Sequence, residues 1–361
     1  MDIIRYRRDL HRIPELSLDL PETCAYIARQ AAGWNCHVFS PIENALCAWF
    51  DFGADSAIAF RADMDALPIQ EQNQTDYASE HPGKMHACGH DGHMAIVLEL
   101  GRRLSRKERL NHNILLVFQP AEETTGGAKR ICDTGVFQEY GVEAIFGLHL
   151  WPGLEKGIVG SRCGELMACA SEVNIDIFGK SAHIAKAREG IDALAAGMEY
   201  YRRAVAMERA LPESIFRLLK FGRMESGTVR NAVSNHTRIE GSLRAFQDEI
   251  FNGLRDGLFT IGAQIEAEFG CKVEIHTTDC NPAVMNPPEL YHRIRRIVPL
   301  RELTEPSMTA EDFSCYQRTI PGMFFFLGLG DVPALHTNNF DFDEAVLTVG
   351  ADFFEQIAEN F

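Results

Sequence analysis

The chain has 361 residues, a formal net charge of −16 and the hydrophobic and charged fractions of an ordinary globular protein. This length exceeds what one hydrophobic core usually supports, so we expect two domains. The acidic charge argues against a broad basic surface, and therefore against nucleic acid or an anionic membrane as a partner. The apolar runs are too short to cross a bilayer.

Ten cysteines are spread along the chain. They are too dilute to indicate a disulfide scaffold, and the first twelve residues carry charges instead of the apolar core of a secretory signal. The sequence therefore predicts a cytoplasmic protein with reduced thiols. All cysteines except Cys88 are expected to be small buried hydrophobic residues, because Cys88 alone lies among potential metal ligands.

Helices and short strands alternate through the first half of the chain. Residues 6–33 are predicted to be helical with a break between Pro14 and Pro21, and further helices are predicted after residue 93 and near 128–134. Strands are predicted at 38–39, 45–50, 57–60, 114–118 and 144–148. Such alternation is typical of an α/β fold with a mostly parallel sheet covered by helices on both faces.

The stretch MHACGHDGH at 85–93 contains three histidines, a cysteine and an aspartate. Thiolate and imidazole groups two or three residues apart suit a borderline-soft divalent ion such as zinc. The alternative is a polar loop that leads into a helix, since apolar residues then recur at helical spacing as far as Leu104. The stretch alone leaves both interpretations open.

Acidic residues and a histidine follow the predicted strands at their carboxyl ends. Asp63 and Asp65 follow one strand, Glu122 and Glu123 follow another, and His149 closes a third. In parallel sheets, ligands collect beyond the carboxyl ends of the strands. We therefore expect these side chains and the 85–93 stretch to share one site.

The pattern changes near residue 168. Two helices and four strands then follow in the order β-α-β-β-α-β, at 172–178, 191–207, 216–221, 237–246, 250–269 and 272–278. This order matches the ferredoxin-like plan. From residue 281 the first pattern returns, with a helix at 289–298, a strand at 323–327 and a last helix from 343. The sequence thus predicts a domain of residues 168–280 inserted into a larger one formed by 1–167 and 281–361.

Several longer motifs occur in order along the chain, namely RRDLHRIPELS at 7–17, RADMDALP at 61–68, MHACGHDGH at 85–93, PAEE at 120–123, GLH at 147–149, GKSAH at 179–183, EDF at 311–313, LH at 335–336 and FDFDE at 340–344. With these motifs the chain resembles the metal-dependent aminoacylase/carboxypeptidase superfamily. The resemblance is to the amidohydrolase branch that contains hippurate hydrolases, auxin-conjugate hydrolases and N-acetyldiaminopimelate deacetylases. It covers nearly the whole length.

This resemblance implies a two-metal hydrolase domain with an inserted lid or dimerisation domain. The implied metal ligands are Cys88, His90, Glu123, His149 and His336. Cys88 would bridge the two ions, where related branches use an aspartate. The resemblance leaves zinc, manganese, cobalt and nickel open as the two divalent metal ions, although a thiolate favours zinc.

The resemblance also implies roles for residues that do not bind metal. Glu122 would be the general base that takes a proton from water and returns it to the leaving amine. His183 would reach over the site and steady the developing oxyanion. Asn231 and Arg230 would contact the substrate. Arg230 either binds a substrate carboxylate through paired donors or is a solvated surface arginine. Asp65 would orient a ligand histidine by a hydrogen bond without binding a metal ion itself.

Some positions have two interpretations. Asp63 stands where other branches have a metal-binding histidine, so its part in metal binding stays open. His86 and His93 are expected either to contact the metal ligands without binding metal or to lie on a helix surface. Lys186 and Arg188 replace residues found after the lid histidine in many relatives, and they either bind an acidic group of the substrate or lie on the surface.

The predicted function is hydrolysis of the amide bond of N-acyl amino acids, chiefly N-acetyl amino acids, by metal-activated water. A dipeptidase or carboxypeptidase is the alternative within the same chemistry. A catalytically silent metal-dependent binding protein is the alternative from another class, which the complete set of ligands and base disfavours. We further predict a homodimer or higher homo-oligomer, formed through an edge strand of the inserted domain.

Overall fold

The computed structural model describes residues 2–124, 126–278 and 280–361. The chain divides into two compact units, which are described separately. The larger unit contains the residues up to Leu166, Val284–Pro306 and Asp312–Phe361, and the smaller unit contains Met167–Ala283 and Ser307–Glu311. No helix within the described ranges is long and apolar enough to cross a membrane.

The strands, numbered along the chain, are β1 (His37–Phe39), β2 (Leu46–Phe50), β3 (Ala57–Asp63), β4 (Asn113–Gln119), β5 (Val142–Pro152), β6 (Val159–Ser161), β7 (Gly164–Met167), β8 (Cys169–Phe178), β9 (Arg217–Ser226), β10 (His236–Ala245), β11 (Lys272–Thr277), β12 (Val284–Asn286), β13 (Arg301–Glu302) and β14 (Gly322–Gly330). The α-helices are α1 (Asp2–Arg12), α2 (Pro21–Ala31), α3 (His90–Leu104), α4 (Gly127–Cys132), α5 (Val136–Glu139), α6 (Ala193–Arg209), α7 (Asp248–Phe269), α8 (Pro288–Ile297), α9 (Ser314–Gln317) and α10 (Ala345–Asn360). The strands β6, β7, β12 and β13 are absent from the sequence prediction, because two to four residues carry no recognisable periodicity.

The larger unit is built on an eight-stranded sheet in the order β1-β2-β4-β3-β5-β14-β6-β13. The central strands β4, β3, β5 and β14 are parallel, whereas β1, β2 and β6 pair antiparallel with their inner neighbours. The predicted α/β fold is therefore confirmed, with a mixed sheet around a parallel centre. Strands β3 and β4 are buried along their whole length, which explains their almost continuous apolar sequences.

The parallel centre delivers several strand ends to one edge of the sheet. Asp63, the last residue of β3, pairs in register with Gln119, the last residue of β4. His149 pairs with Phe326 of β14, close to the end of β5. The residues that follow these strands therefore start from the same edge, as the sequence predicts.

The smaller unit has a four-stranded antiparallel sheet in the order β11-β8-β10-β9. Helices α6 and α7 pack on it around a separate hydrophobic core. The order of the strands and their βαββαβ connection are those of the predicted ferredoxin-like plan. Residues 167, 281–283 and 307–311 also belong to this unit, although the sequence pattern predicts them in the larger domain. The amide of Ala168 donates to the carbonyl of Thr309 at 2.8 Å, a contact that sequence periodicity does not reveal.

A disulfide joins Cys169 at the start of β8 to Cys280 after the end of β11, with 6.0 Å between the Cα atoms. The prediction of reduced thiols throughout the chain is therefore wrong for this pair. Because β8 and β11 are antiparallel neighbours, residues 111 positions apart in sequence meet at disulfide distance. The other eight cysteines are free, and of these only Cys47 and Cys88 are buried.

Candidate metal centre

The loop before α3 carries Cys88 and His90 on either side of a glycine. Gly89 has a φ of +85°, a left-handed conformation that residues with a side chain rarely adopt. A Cβ atom added at Gly92 would lie 2.6 Å from Leu150 Cδ1, so this glycine lets the first turn of α3 approach the end of β5 closely. The two glycines of the motif thus bring Cys88 and His90 next to the strand that carries His149.

The structure brings all five predicted ligands together in the larger unit. Cys88 Sγ lies 3.4 Å from His149 Nε2 and 3.3 Å from His336 Nε2. Glu123 Oε1 lies 3.3 Å from His336 Nε2 and 3.9 Å from His90 Nε2. Donor atoms bound to one tetrahedral zinc ion are separated by about 3.5 Å, so these distances are those of potential co-ligands.

Cys88 belongs to two groups of potential ligand atoms. It forms one group with His90 and His149, and another with Glu123 and His336. Within each group the ligand atoms lie within 4.8 Å of one another. Cys88 Sγ also lies within 3.4 Å of a histidine from each of these two groups, which is the arrangement that a bridge between two ions requires.

The hydrogen bonds of two buried histidines leave the Nε2 lone pairs available. His90 Nδ1 donates to the carbonyl of Asp65 at 2.7 Å, and His149 Nδ1 donates to the carbonyl of Leu150 at 2.7 Å. A carbonyl can only accept, so Nδ1 carries the proton in both rings. The Nε2 atom of His90 is buried and has no hydrogen-bond partner within the described ranges. A lone pair in this situation fits a metal ligand.

The electrostatics of the site also fit a cation. Burial, together with Glu123 and Glu122, raises the pKa of the Cys88 thiol well above its usual value. Burial, together with His93 and His90, lowers the pKa of His149 well below its usual value, so its imidazole is neutral. The donor set therefore needs a positive charge before Cys88 can ionise, and divalent metal ions supply that charge.

Asp65 supports the site through two different groups. Its backbone carbonyl accepts the hydrogen bond from His90. The main chain of Asp65, and not its carboxylate, therefore orients this ligand histidine. Its carboxylate accepts the backbone N–H groups of Glu122 at 2.9 Å and Glu123 at 3.1 Å. Ala121, immediately before them, has a left-handed φ of +57°. No sequence pattern indicates this second contact.

Asp63 and His93 bind each other. His93 Nδ1 donates to Asp63 Oδ1 at 2.6 Å, and Arg61 donates to Asp63 Oδ2 at 2.7 Å. Burial alone would raise the pKa of Asp63, but Arg61, His90 and His93 hold it well below its usual value. His93 Nε2 accepts the N–H of Leu150 at 2.9 Å. Both ring nitrogens of His93 are therefore occupied, and Asp63 is a partner of this histidine and of Arg61.

His86 and His93 are both buried, which excludes one of their two predicted positions, that on a helix surface. Burial lowers the pKa of His86 to about 3, so this ring is neutral. Neither of its ring nitrogens has a hydrogen-bond partner among the residues that the structure describes. The sequence did not distinguish these two histidines from each other.

Three predicted residues lie in the smaller unit, where they are neighbours. His183 forms a β-bridge with Ala232, and the amide of Ile184 donates to the carbonyl of Asn231 at 3.0 Å. The side chains of His183, Arg230 and Asn231 are exposed. The GKSAH and SGTVRNAV motifs therefore meet on one surface of this unit.

A thiol, three imidazoles and two carboxylates at the strand ends of an α/β sheet define a candidate centre for two-metal hydrolysis. Residues 59–360 match the model of peptidase family M20/M25/M40. The chain belongs to this family and is a metal-dependent hydrolase of amide or peptide bonds.

Individual relatives resemble the chain over almost all of its length. An uncharacterized hydrolase of Staphylococcus haemolyticus is 33% identical over 374 residues, covering 99% of this chain and 98% of the relative. The YXEP protein of Bacillus subtilis, described as a dinuclear metal-binding peptidase of the M20 family, is 31% identical with a TM-score of 0.85 and coverage of 99% and 96%. A proposed aminohydrolase from methicillin-resistant Staphylococcus aureus is 28% identical with a TM-score of 0.91 and coverage of 98% and 95%.

Proposed function

We propose that the protein hydrolyses the amide bond of N-acyl amino acids, chiefly N-acetyl amino acids, at a two-metal centre. The ions would be held by Cys88, His90, Glu123, His149 and His336. The observation that carries this proposal is the position of Cys88, whose Sγ atom lies 3.4 Å from His149 Nε2 and 3.3 Å from His336 Nε2, each a member of a different group of potential ligand atoms. The thiolate favours zinc, with manganese, cobalt and nickel as the other candidates.

The chemistry divides between the ions and the two adjacent glutamates. When bound, two metal ions polarise the amide carbonyl and lower the pKa of water. Glu122 accepts the proton of the attacking water and returns it to the leaving nitrogen. Glu123 lies 3.3 Å from the ring of His336, which supports its part as a ligand. Asp65 holds both backbone amides, so the two side chains start from a fixed main chain.

For substrate recognition, we assign the amino-acid carboxylate to Arg230, with Asn231 as a further contact. Arg230 is exposed and lines a cleft of about 430 Å³ in the smaller unit. A guanidinium group can bind a carboxylate through two parallel hydrogen bonds. His183 would donate a hydrogen bond to the developing oxyanion.

The experiment is a hydrolysis panel. Protein freed of metal by a chelator and reloaded with zinc, manganese, cobalt or nickel is assayed on N-acetyl and N-benzoyl amino acids. Glu122→Gln should lower kcat by about 10²- to 10⁴-fold, because it removes the general base but keeps a side chain of the same shape. Glu139→Gln, at an exposed position, is the matched control. No turnover with any metal, or full activity of Glu122→Gln, would overturn the proposal.

Dipeptide hydrolysis is the second candidate, because the Bacillus subtilis neighbour is described as a peptidase. The same residues would serve both reactions, so the distinction lies in the product. Dipeptides belong in the same panel, with detection of each released amino acid. A higher kcat/KM for dipeptides than for N-acyl amino acids would assign the protein to the peptidases.

We also propose association of two copies through the smaller unit. Strand β9 is an edge strand of its sheet. Leu194, Met198 and Tyr201 recur on one face of α6 and are exposed, and Met224 is exposed on β9. An exposed strand edge beside apolar side chains favours pairing with a second copy. Light scattering should give at least twice the chain mass, and Met198→Asp should lower it. A monomeric mass for the unaltered protein would contradict the idea.

A cytoplasmic location stays a proposal. The eight free cysteines support it, because they persist as thiols in a reducing compartment, whereas the Cys169–Cys280 disulfide argues against it. Labelling of thiols in intact cells, before and after lysis, would test it. Labelling of the protein before lysis would place it outside the cytoplasm.

A further inference from the structure

We propose that His93 is a positioning residue for His149. It holds the end of the strand that carries this ligand, and Asp63 and Arg61 hold His93 in turn. The inference rests on the proposed function, because it takes His149 to be a metal ligand. It assigns a part to the third histidine of the MHACGHDGH motif.

Among the strands that the structure describes, the end of β5 has a neighbour on one side only. Strand β3 pairs with β5 only as far as the pair Arg61–Gly147, whereas β14 continues beside it to Pro152. On the free side, the N–H of Leu150 donates to His93 Nε2 at 2.9 Å. His93 therefore supplies the acceptor that a strand would otherwise supply.

This hydrogen bond acts on the ligand through one peptide group. The nitrogen of Leu150 is bonded to the carbonyl carbon of His149, and the Leu150 carbonyl accepts from His149 Nδ1 at 2.7 Å. Both backbone polar groups of Leu150 are thus bound, one by His93 and one by the ligand ring. A rotation of the peptide group between His149 and Leu150 would turn the His149 ring and move its Nε2 atom, which lies 3.4 Å from Cys88 Sγ.

The proton arrangement of His93 is fixed by its other partners. A backbone N–H can only donate, so Nε2 of His93 accepts and Nδ1 carries the proton. Nδ1 donates to Asp63 at 2.6 Å. Asp63 accepts from Arg61, whose remaining nitrogens donate to Gln119 at 2.8 Å and Asp312 at 2.9 Å. The Asp63, His93 and Arg61 side chains are at most 2% exposed, so the network cannot exchange these bonds with solvent easily.

Two substitutions separate the two contacts of His93. In His93→Asn, the amide nitrogen replaces Nδ1 and can donate to Asp63, but the side chain is too short to reach Leu150. In His93→Gln, the amide oxygen can take the place of Nε2 and accept from Leu150, while the donor to Asp63 is lost. The Leu150 contact is therefore kept only in His93→Gln.

The test is a titration of metal-free protein with Co²⁺, followed by calorimetry and by the absorption of cobalt. The unaltered protein should bind two ions. His93→Asn should weaken one of the two sites about 10- to 100-fold, the usual range for loss of a group that orients a ligand, and leave the other site unchanged. His93→Gln should bind both ions with nearly normal affinity. Melting temperatures of the metal-free variants should fall by similar amounts, so that lost stability does not explain the difference.

Normal affinity at both sites in His93→Asn would overturn the inference, as would equal losses in the two variants. Both results leave the two-metal proposal intact. Failure of the unaltered protein to bind two ions would overturn the proposed centre and this inference together. If His93→Asn does not fold, Asp63→Asn replaces it, and unchanged binding at both sites in that variant overturns the inference.

Discussion

The carboxylate of Asp65 binds the main chain of Glu122, with 2.9 Å between Oδ1 and the amide nitrogen. Its other oxygen binds the amide of Glu123 at 3.1 Å. One buried side chain thus anchors the two residues that we propose as base and ligand. Because its carbonyl also binds His90, Asp65 connects three parts of the candidate centre.

Replacement of Asp65 by asparagine should damage catalysis more than folding. An amide group has one oxygen to accept with, so one of the two backbone N–H groups loses its partner and meets an NH₂ group instead. We expect kcat for the best N-acyl substrate to fall about 10- to 100-fold. Asp133→Asn, on the exposed end of α4, is the control and should retain normal kcat. Normal kcat in Asp65→Asn would show that the carboxylate does not position Glu122.

A buried histidine near the start of the chain makes stability depend on pH. His11 Nδ1 lies 2.8 Å from Asp91, and Nε2 lies 3.1 Å from Glu71. Burial alone would lower the pKa of His11, but Asp91 and Glu71 raise it to about 9. The folded state therefore keeps a proton that the unfolded state releases above about pH 6.5.

This stabilisation is fully present below pH 6.5 and is lost as the pH rises to 9. The difference in unfolding free energy between the unaltered protein and His11→Gln should therefore shrink by about 3 kcal/mol across that interval. Urea unfolding at pH 6, 7.5 and 9.5 measures it, and effects of other titrating groups cancel in the difference. A difference independent of pH would mean that His11 is not protonated in the folded state.

The disulfide of the smaller unit should contribute to stability. Cys169 and Cys280 close a loop of 111 residues, and such a cross-link restricts the unfolded chain. Cys169→Ser should lower the unfolding free energy by about 2–4 kcal/mol without reductant and have little effect with reductant. Cys271→Ser, a free cysteine of the same unit, is the control. Ten reactive thiols in the unfolded, unreduced protein would contradict the cross-link.

Steady-state kinetics can distinguish a catalytic role of His183 from a role in substrate binding. Loss of a donor to the oxyanion affects the transition state more than the bound substrate, so His183→Ala should lower kcat about 10²- to 10³-fold with a smaller change in KM. Zinc content should be unchanged, because this residue is not a proposed ligand. A rise in KM at normal kcat would reassign His183 to substrate binding.

The sequence predicted the parts of the site that depend on strand order. Acidic residues and histidines directly follow buried apolar strands, and parallel strands end at one edge, so strand order alone predicts that Asp63, Glu123 and His149 lie together. The Cys88 and His90 pair stood out because of its spacing. His336 has a left-handed φ of +62° in a loop, and only the resemblance to a known family pointed to it.

The rest depended on tertiary contacts that leave no local pattern. The carboxylate of Asp65 faces the backbone of residues 57 positions away, and a backbone amide has no sequence signature. His93 follows helical spacing but lies against a strand end, which only the packing of α3 on β5 determines. The disulfide likewise depends on which strands are neighbours, because Cys169 and Cys280 lie in no motif.

The most direct test of the two-metal centre is the metal content of Cys88 variants. The unaltered protein, Cys88→Ala and Cys88→Asp are reloaded with zinc, dialysed and analysed for metal. The shared position of Cys88 predicts two ions per chain in the unaltered protein, nearly normal content in Cys88→Asp, which keeps an anionic ligand, and loss of zinc with loss of activity in Cys88→Ala. Two tightly bound ions and full activity in Cys88→Ala would contradict a bridging thiolate.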